Sequence, residues 1–214
     1  GYAITSVVQA GKDTIGLISK YKQISDFYTK STGEFIDATF LKNHDQNRIL
    51  SELGNNADKA RVATGILLTL PGTPYVYYGE EIGMVGVKPD EYIREPFLWD
   101  VDTKDPEQTS WEEPKFSTDE TVVPLAIQKT DPNSLYNFYK NFIHYRNSST
   151  ILTYGSIENS TLQVSELVSF IRKSEAGTRL VIHNLSDIEL TLKKEGELNQ
   201  FEEMDFATRA GVKI

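Results

Sequence analysis

Hydrophobic positions in the first 80 residues alternate between helical spacing and short continuous runs. Residues 12–30 and 57–70 carry apolar side chains three or four positions apart, which predicts two amphipathic helices. Residues 35–41 and 75–78 are short and rich in β-branched and aromatic side chains, which predicts two buried strands. This helix–strand–helix–strand order favours a parallel sheet whose strands are joined by crossover helices.

Polar residues precede the predicted helices and can cap them. Asp13 is placed to cap the first helix, and Asn55 or Asn56 the second. Asp131 as a cap, with Pro132 in the first turn, predicts the start of a third helix. The predicted core face of that helix consists of Leu135, Phe138, Tyr139, Phe142 and Ile143.

The pattern changes after about residue 150. Residues 167–173 and 179–183 have the composition of strands, and residues 188–193 alternate as a third, which predicts a small antiparallel β domain. Between the two regions, residues 79–130 form a long segment that contains most of the prolines and both tryptophans. A loop of that length inside a compact domain is usually functional.

Composition excludes several classes of protein. The chain has 214 residues, of which 39% are hydrophobic and 25% charged, as in ordinary soluble globular proteins. Its 22 Lys and Arg against 31 Asp and Glu give a net charge of −9, which repels phosphate backbones, so we expect no nucleic-acid partner. No apolar run is long enough to predict a membrane span. The absence of Cys excludes disulfides and thiolate metal sites.

The most informative segment for chemistry is residues 40–48, FLKNHDQNR, which begins at the end of a predicted strand. In a parallel α/β barrel the active site lies at the carboxyl ends of the strands, where the loops converge. His44, Asp45 and Arg48 could together bind sugar hydroxyls, since the imidazole donates, the carboxylate accepts and the guanidinium keeps the carboxylate ionised. Taken alone, the segment is more typical of an ordinary polar loop than of a binding site.

Four segments together resemble the α-amylase family of glycoside hydrolases. Residues 40–48 resemble the family's conserved His-Asp region after barrel strand seven, and residues 70–84 its strand-eight region. Residues 94–100 and 134–146 resemble the next common block and the last barrel helix. The resemblance implies an α/β fold: residues 1–149 as the C-terminal part of a (β/α)8 TIM barrel, and residues 150–214 as a small antiparallel β-sandwich domain.

The resemblance also implies roles for five residues. Asp45 matches the family's third catalytic carboxylate, which binds sugar hydroxyls and stabilises the transition state, and His44 matches the histidine that contacts the sugar beside it. Asp90 and Arg94 match a pair that holds glucose units on the non-reducing side of the cut, although they could instead be an exposed loop ion pair. Arg48 lies where related enzymes also carry an arginine and is a further candidate for substrate binding.

A retaining glycosidase needs a nucleophile and an acid/base, and the chain has no match to the family's Arg-x-Asp nucleophile segment. We therefore expect part of a retaining α-glucan hydrolase that cleaves α-1,4 bonds of starch or maltooligosaccharides. Its partners would be that substrate and the N-terminal part of the same enzyme, and the chain alone would be inactive. We expect no cofactor or metal in this chain, although calcium is possible in the full-length enzyme, and secreted relatives favour an extracellular location.

Other functions stay open at this stage. Within the same family, an α-glucosidase, a neopullulanase or a glucosyl-transferring enzyme would carry the same His-Asp region. Outside catalysis, a hydrolase-like subunit could bind carbohydrate or a protein partner.

Overall fold

The computed structural model describes residues 1–101, 105–162, 164–193 and 195–208. Its first elements are, in chain order, α1 (Tyr2–Ala10), α2 (Leu17–Thr32), β1 (Ala38–Phe40), α3 (Ile49–Glu52), α4 (Ala57–Thr69), β2 (Thr73–Tyr75) and α5 (Asp90–Ile93). They are followed by α6 (Leu125–Gln128), α7 (Leu135–Ser148), α8 (Thr150–Tyr154), β3 (Ser156–Asn159), β4 (Leu167–Ser174), β5 (Gly177–Asn184) and a 3-10 helix (Gly196–Gln200).

Strands β1 and β2 form the predicted parallel pair. Ala38 lies opposite Thr73 and Phe40 opposite Tyr75, and helices α3 and α4 connect the two strands. The second strand ends at Tyr75, whereas the sequence predicts residues 75–78. The pairing ends at Tyr75 because its partner Phe40 is the last residue of β1, and the carbonyl of Tyr78 accepts instead from the Arg48 side chain at 2.7 Å.

The antiparallel sheet has the order β3-β4-β5. Its two long strands confirm the predictions for residues 167–173 and 179–183, with Leu167 opposite Asn184. The prediction of a strand at residues 188–193 is wrong, since β3 is the third strand. After β5 the Asn184 side chain accepts from the Ser186 N–H and donates to the Ile188 carbonyl, which turns the chain away from the sheet edge. The described residues after 150 form this one sheet rather than the two sheets of a sandwich.

Helix boundaries follow the capping side chains. Asn56 caps α4, with its side chain accepting from the N–H groups of the first turn, as predicted. Helix α2 begins at Leu17 rather than residue 12, because the Asp13 carboxylate binds the N–H groups of Ile15 and Leu17 and holds a turn there. Helix α7 begins after Ser134, which is its cap in place of the predicted Asp131. Helix α1 has no counterpart in the sequence predictions.

A single apolar cluster joins the helices to the antiparallel sheet. Val168, Phe170 and Leu185 are buried in the same cluster as residues of α1, α2 and α4. The predicted division into residues 1–149 and 150–214 therefore crosses a shared core. Other members of this cluster are Ile4, Val7, Val8, Leu17, Ile18, Leu41, Ile49, Leu53, Ala60, Ala63, Ile66, Leu67 and Leu70.

The long segment after β2 contains its own small core. Ile82, Met84, Leu98 and Leu125 are buried together, and Trp99 packs against them. Among the residues that the structure describes, no helix is long and apolar enough to cross a membrane.

Candidate active site

The candidate site is the loop that follows the carboxyl end of β1. Asn43 shapes this loop: its side chain accepts a hydrogen bond from the Asp45 N–H at 3.0 Å, and its carbonyl accepts from the Gln46 N–H at 3.2 Å. The turn leaves His44 and Asp45 facing solvent, with side chains that are 65% and 62% exposed. The pair is therefore available to a ligand at the surface.

Four of the predicted residues lie together here. Arg94 Nη2 is 3.2 Å from Asp45 Oδ1 and 2.7 Å from Asp90 Oδ2. Arg94 Nε donates to the His44 carbonyl at 2.9 Å, and His44 Nε2 lies 3.4 Å from Asp45 Oδ2. A forked guanidinium can bind both carboxylates at once, which a lysine ammonium cannot do with the same fixed geometry.

Lys88 adds a positive charge that sequence reasoning missed. Its ammonium bonds to Asp90, and its backbone N–H donates to the Asn47 side chain at 2.8 Å. The hydrogen bond from Lys88, together with the charge of nearby Arg94, lowers the pKa of Asp90 below its usual value. The only sequence signal was a lysine two residues before a candidate carboxylate, which is common on protein surfaces.

Arg48 lies in a different position from the other four residues. Its side chain is fully buried, with the guanidinium carbon 4.9 Å and 4.8 Å from the ring centres of Tyr77 and Tyr78. It occupies the N-cap position of α3, and its Nη1 donates to the carbonyl of Tyr78 at 2.7 Å. The expectation that Arg48 binds substrate therefore does not fit this structure, because Arg48 has no exposed surface to offer a ligand.

A cavity of about 310 Å³ lies between the two parallel strands and this loop. Its lining includes Phe40, Lys42 and Asn43 from the first strand and loop, and Tyr75 and Tyr77 from the second. The mixture of aromatic rings and polar side chains suits a sugar, which has apolar faces and many hydroxyls.

Two acidic residues near the cavity cannot serve as exposed carboxylates. Glu80 is only 2% exposed, and burial raises its pKa to about 8, so it is protonated at neutral pH. Burial also raises the pKa of Glu81. In the described part of the chain, no three His, Asp or Glu side chains are close enough to hold a metal ion.

The geometry defines a polar, sugar-compatible site at the end of a parallel β/α pair, and comparison with known proteins identifies the family. Residues 6–155 match the family model for the alpha amylase catalytic domain. The chain is 39% identical over 191 residues to Alpha-amylase 3 of Dictyoglomus thermophilum, which covers 89% of this chain and 38% of that protein. It is also 30% identical over 164 residues to a 4-alpha-glucanotransferase of Thermotoga maritima, covering 75% of this chain and 37% of that one.

A solved structure of the same family has a similar fold. The crystal structure of an alpha-amylase from H. orenii superposes with a TM-score of 0.77 and 40% identity, over 86% of this chain and 37% of that one. The chain thus belongs to the alpha-amylase family, whose fold contains a TIM barrel. It spans less than two fifths of the length of these relatives.

Proposed function

We propose that the chain is the C-terminal part of a retaining α-glucan hydrolase that cleaves α-1,4 bonds of starch or maltooligosaccharides. Residues 1–149 would supply the last β/α units of its (β/α)8 barrel, with the antiparallel sheet behind them. The observation that carries the proposal is the cluster of His44, Asp45, Asp90 and Arg94 at the carboxyl end of β1, next to an open cavity.

Exposed apolar side chains support the barrel part of the proposal. Phe27 and Ile36 are 66% and 76% exposed, on α2 and just before β1. Isolated parallel strands are rare because parallel sheets are normally covered on both faces. Further strands and helices of the same enzyme would cover these side chains.

Asp45 would act by binding sugar hydroxyls more tightly in the transition state than in the ground state. Arg94 holds one of its oxygens at 3.2 Å, which fixes the carboxylate before the substrate arrives. A fixed negative charge stabilises the positive charge that develops on the sugar ring during cleavage. His44 would donate to a neighbouring hydroxyl, while Asp90 and Arg94 would hold a glucose unit further along the chain.

The nucleophile and the acid/base would come from polypeptide upstream of this chain. Retention needs two carboxyl groups about 5–5.5 Å apart. Glu80 and Glu81 do not meet that need, because Glu80 is only 2% exposed and burial raises the pKa of both carboxyl groups. We assign calcium binding to no described residue of this chain, since these residues form no cluster of metal ligands.

A glucosyltransferase is the second candidate. It is favoured by the likeness to the 4-alpha-glucanotransferase of Thermotoga maritima, at 30% identity. Such an enzyme would use Asp45 in the same way but would pass the sugar to another glucan rather than to water. Chromatography of the products formed from maltoheptaose distinguishes the two: shorter chains alone indicate hydrolysis, and longer chains indicate transfer.

The proposal is tested by assaying maltoheptaose cleavage with the 214-residue chain alone and with the chain joined to its upstream polypeptide. We expect cleavage only by the longer protein, and a loss of about a hundredfold or more in kcat for Asp45→Asn in that protein. Asp187→Asn, at an exposed position beyond β5, is the matched control. Cleavage by the chain alone, or full activity of Asp45→Asn, contradicts the proposal.

A further inference from the structure

Two adjacent tyrosines connect the buried part of the site to its charged surface. The hydroxyl of Tyr77 donates to the carbonyl of Ile93 at 3.2 Å, and the hydroxyl of Tyr78 donates to the carbonyl of Glu95 at 2.8 Å. These two carbonyls flank Arg94 on either side. The backbone that carries Arg94 is therefore held at both neighbouring residues by phenol groups of the segment that follows β2.

The carbonyl of Ile93 needs such a partner. Ile93 is the last residue of α5, a single turn of four residues, and carbonyls at a helix end have no partner within the helix. The Tyr77 hydroxyl supplies the missing donor. Without it, the end of α5 and the Arg94 side chain that follows would be free to move.

The rings of Tyr77 and Tyr78 are held by each other and by Arg48. They meet edge to face with centres 4.8 Å apart, and the Arg48 guanidinium lies against both of them. Arg48 also donates to the Tyr78 carbonyl at 2.7 Å. Arg48 follows Asp45 by three residues, so the Asp45 loop contacts the two tyrosines through Arg48. The tyrosines in turn hold the backbone of Arg94, whose side chain binds Asp45.

The side chain of Glu95 holds the backbone on the C-terminal side of Arg94. Its carboxylate is fully buried and accepts from the N–H groups of Lys115, Phe116 and Ser117 at 2.8, 2.9 and 2.7 Å. These bonds hold residue 95 on one side of Arg94, while the Tyr77 hydroxyl holds residue 93 on the other side. The phenol of Tyr77 stays protonated at any ordinary working pH, since burial raises its pKa to about 12.

We infer that Tyr77 and Tyr78 are positioning residues, whose hydroxyl groups fix Arg94 and, through it, the carboxylate of Asp45. The role in catalysis rests on the proposed function above, whereas the positioning itself is a property of the chain. Neither tyrosine needs to touch the substrate.

The test measures Arg94 directly by NMR in the 214-residue chain. The reporter is the Nε–H of Arg94, which donates to the His44 carbonyl, and its signal is assigned by its loss in Arg94→Lys. We expect exchange of this proton with water to accelerate about tenfold in the Tyr77→Phe/Tyr78→Phe double variant, which loses two part-buried hydrogen bonds. Tyr145→Phe is the matched control, because it also loses a hydroxyl hydrogen bond, at 3.0 Å to Asp205, far from the site.

Unchanged Arg94 exchange in the folded double variant overturns the inference. If the double variant does not fold, Arg94 exchange is measured in the two single variants, since each removes one of the two hydrogen bonds. Unchanged exchange in both would also overturn the inference. In the longer enzyme we expect kcat/KM for maltoheptaose to fall about tenfold in the double variant and not in Tyr145→Phe. Accelerated Arg94 exchange in a longer protein that cleaves no glucan would uphold the positioning and contradict the proposed function instead.

Discussion

Burial sets the charge state of Glu80. The side chain lies beneath the candidate site, and desolvation raises its pKa to about 8 despite the opposing positive charge of Arg48. The ionised neighbour Glu81 acts in the same direction as burial. In the unfolded chain the same carboxyl has a pKa near 4.5, so folding and proton binding are coupled.

Glu80→Gln should therefore remove a pH dependence of stability. Between pH 4.5 and about 8 the folded chain holds a proton that the unfolded chain has lost, so the wild type loses stability as the pH rises through this window. The full effect is roughly 5 kcal/mol. Urea unfolding at pH 5 and pH 8.5 measures it: the free energy of unfolding should fall less with pH in Glu80→Gln than in the wild type. Glu113→Gln, at an exposed position, is the control, and equal slopes for all three proteins would contradict the prediction.

The individual site residues differ in how far the sequence predicts their positions. His44 and Asp45 could be placed because they directly follow a strand, and the resemblance linked them to Asp90 and Arg94. The burial of Arg48 could not be predicted in the same way. It depends on the rings of Tyr77 and Tyr78, some 30 residues further along the chain, and no local pattern reports that contact.

At the level of elements, the carboxyl end of α4 is held by buried arginines. Arg146 donates from Nη1 to the carbonyls of Leu68 and Leu70 at 2.6 and 2.9 Å, and from Nη2 to the carbonyl of Gly72 at 2.7 Å. The last carbonyls of a helix lack partners within it and carry partial negative charge. The buried guanidinium donates hydrogen bonds to these carbonyls and its positive charge offsets their partial negative charge. It also connects α7 to the turn before β2.

Arg146→Met should destabilise the chain by roughly 3 kcal/mol, because three carbonyls lose a charged donor and at least two remain buried. Lys140→Met, on the exposed face of the same helix, is the matched control and should change stability little. Urea unfolding of the two variants gives the comparison. A loss no larger for Arg146→Met than for Lys140→Met would show that water replaces the guanidinium at little cost.

His183 joins β5 to α4 and should make the stability pH-dependent in the opposite sense to Glu80. Its ring packs against Gly65, where an added Cβ would be only 3.1 Å away, and Nε2 is 2.9 Å from the hydroxyl of Thr69. Burial lowers the pKa of His183 to about 4 from an ordinary value of 6.5. As the pH falls from 6.5 to about 4, the unfolded chain takes up a proton that the folded chain excludes, so stability is lost.

Replacing the imidazole tests this directly. His183→Gln should lower the stability at neutral pH but remove the loss on acidification, which is roughly 3 kcal/mol over the window. Urea unfolding at pH 7 and pH 4.5 measures the difference, with exposed His144→Gln as the control. If the free energy of unfolding changes between these pH values by the same amount in His183→Gln as in the wild type, His183 is not a source of acid sensitivity.

Elements were predictable where one local signal decides them. Helix α4 was predicted almost to its ends, because Asn56 caps it and its apolar spacing is regular. The start of α2 was missed because Asp13 binds backbone N–H groups ahead of the helix and not within it. Strand β3 could not be distinguished from residues 188–193, since only pairing with β4 selects one of them.

In the described chain, the antiparallel sheet shares its core with helices α1, α2 and α4 rather than being an appended unit. Arg172 of β4 bonds to the Thr69 carbonyl of α4 and to the carbonyls of Leu152 and Gly155, so the sheet is attached through polar contacts as well as apolar ones. Phe170 is fully buried against the helices. The sequence pattern, which changes near residue 150, indicates two regions but cannot show that they share an interior.

A chain of residues 1–149 should therefore fail to fold cooperatively. It would lose the buried side chains of Val168, Phe170 and Leu185, each contributing about 1.5–3 kcal/mol, and the guanidinium of Arg172. That loss is comparable to the whole stability of a typical domain, about 5–15 kcal/mol. A chain of residues 1–192 is the control, because it keeps all three strands of the sheet. Urea unfolding followed by circular dichroism should give a sigmoidal transition for the control and a gradual one for residues 1–149, and a sharp transition for the shorter chain would show that its helices fold without the sheet.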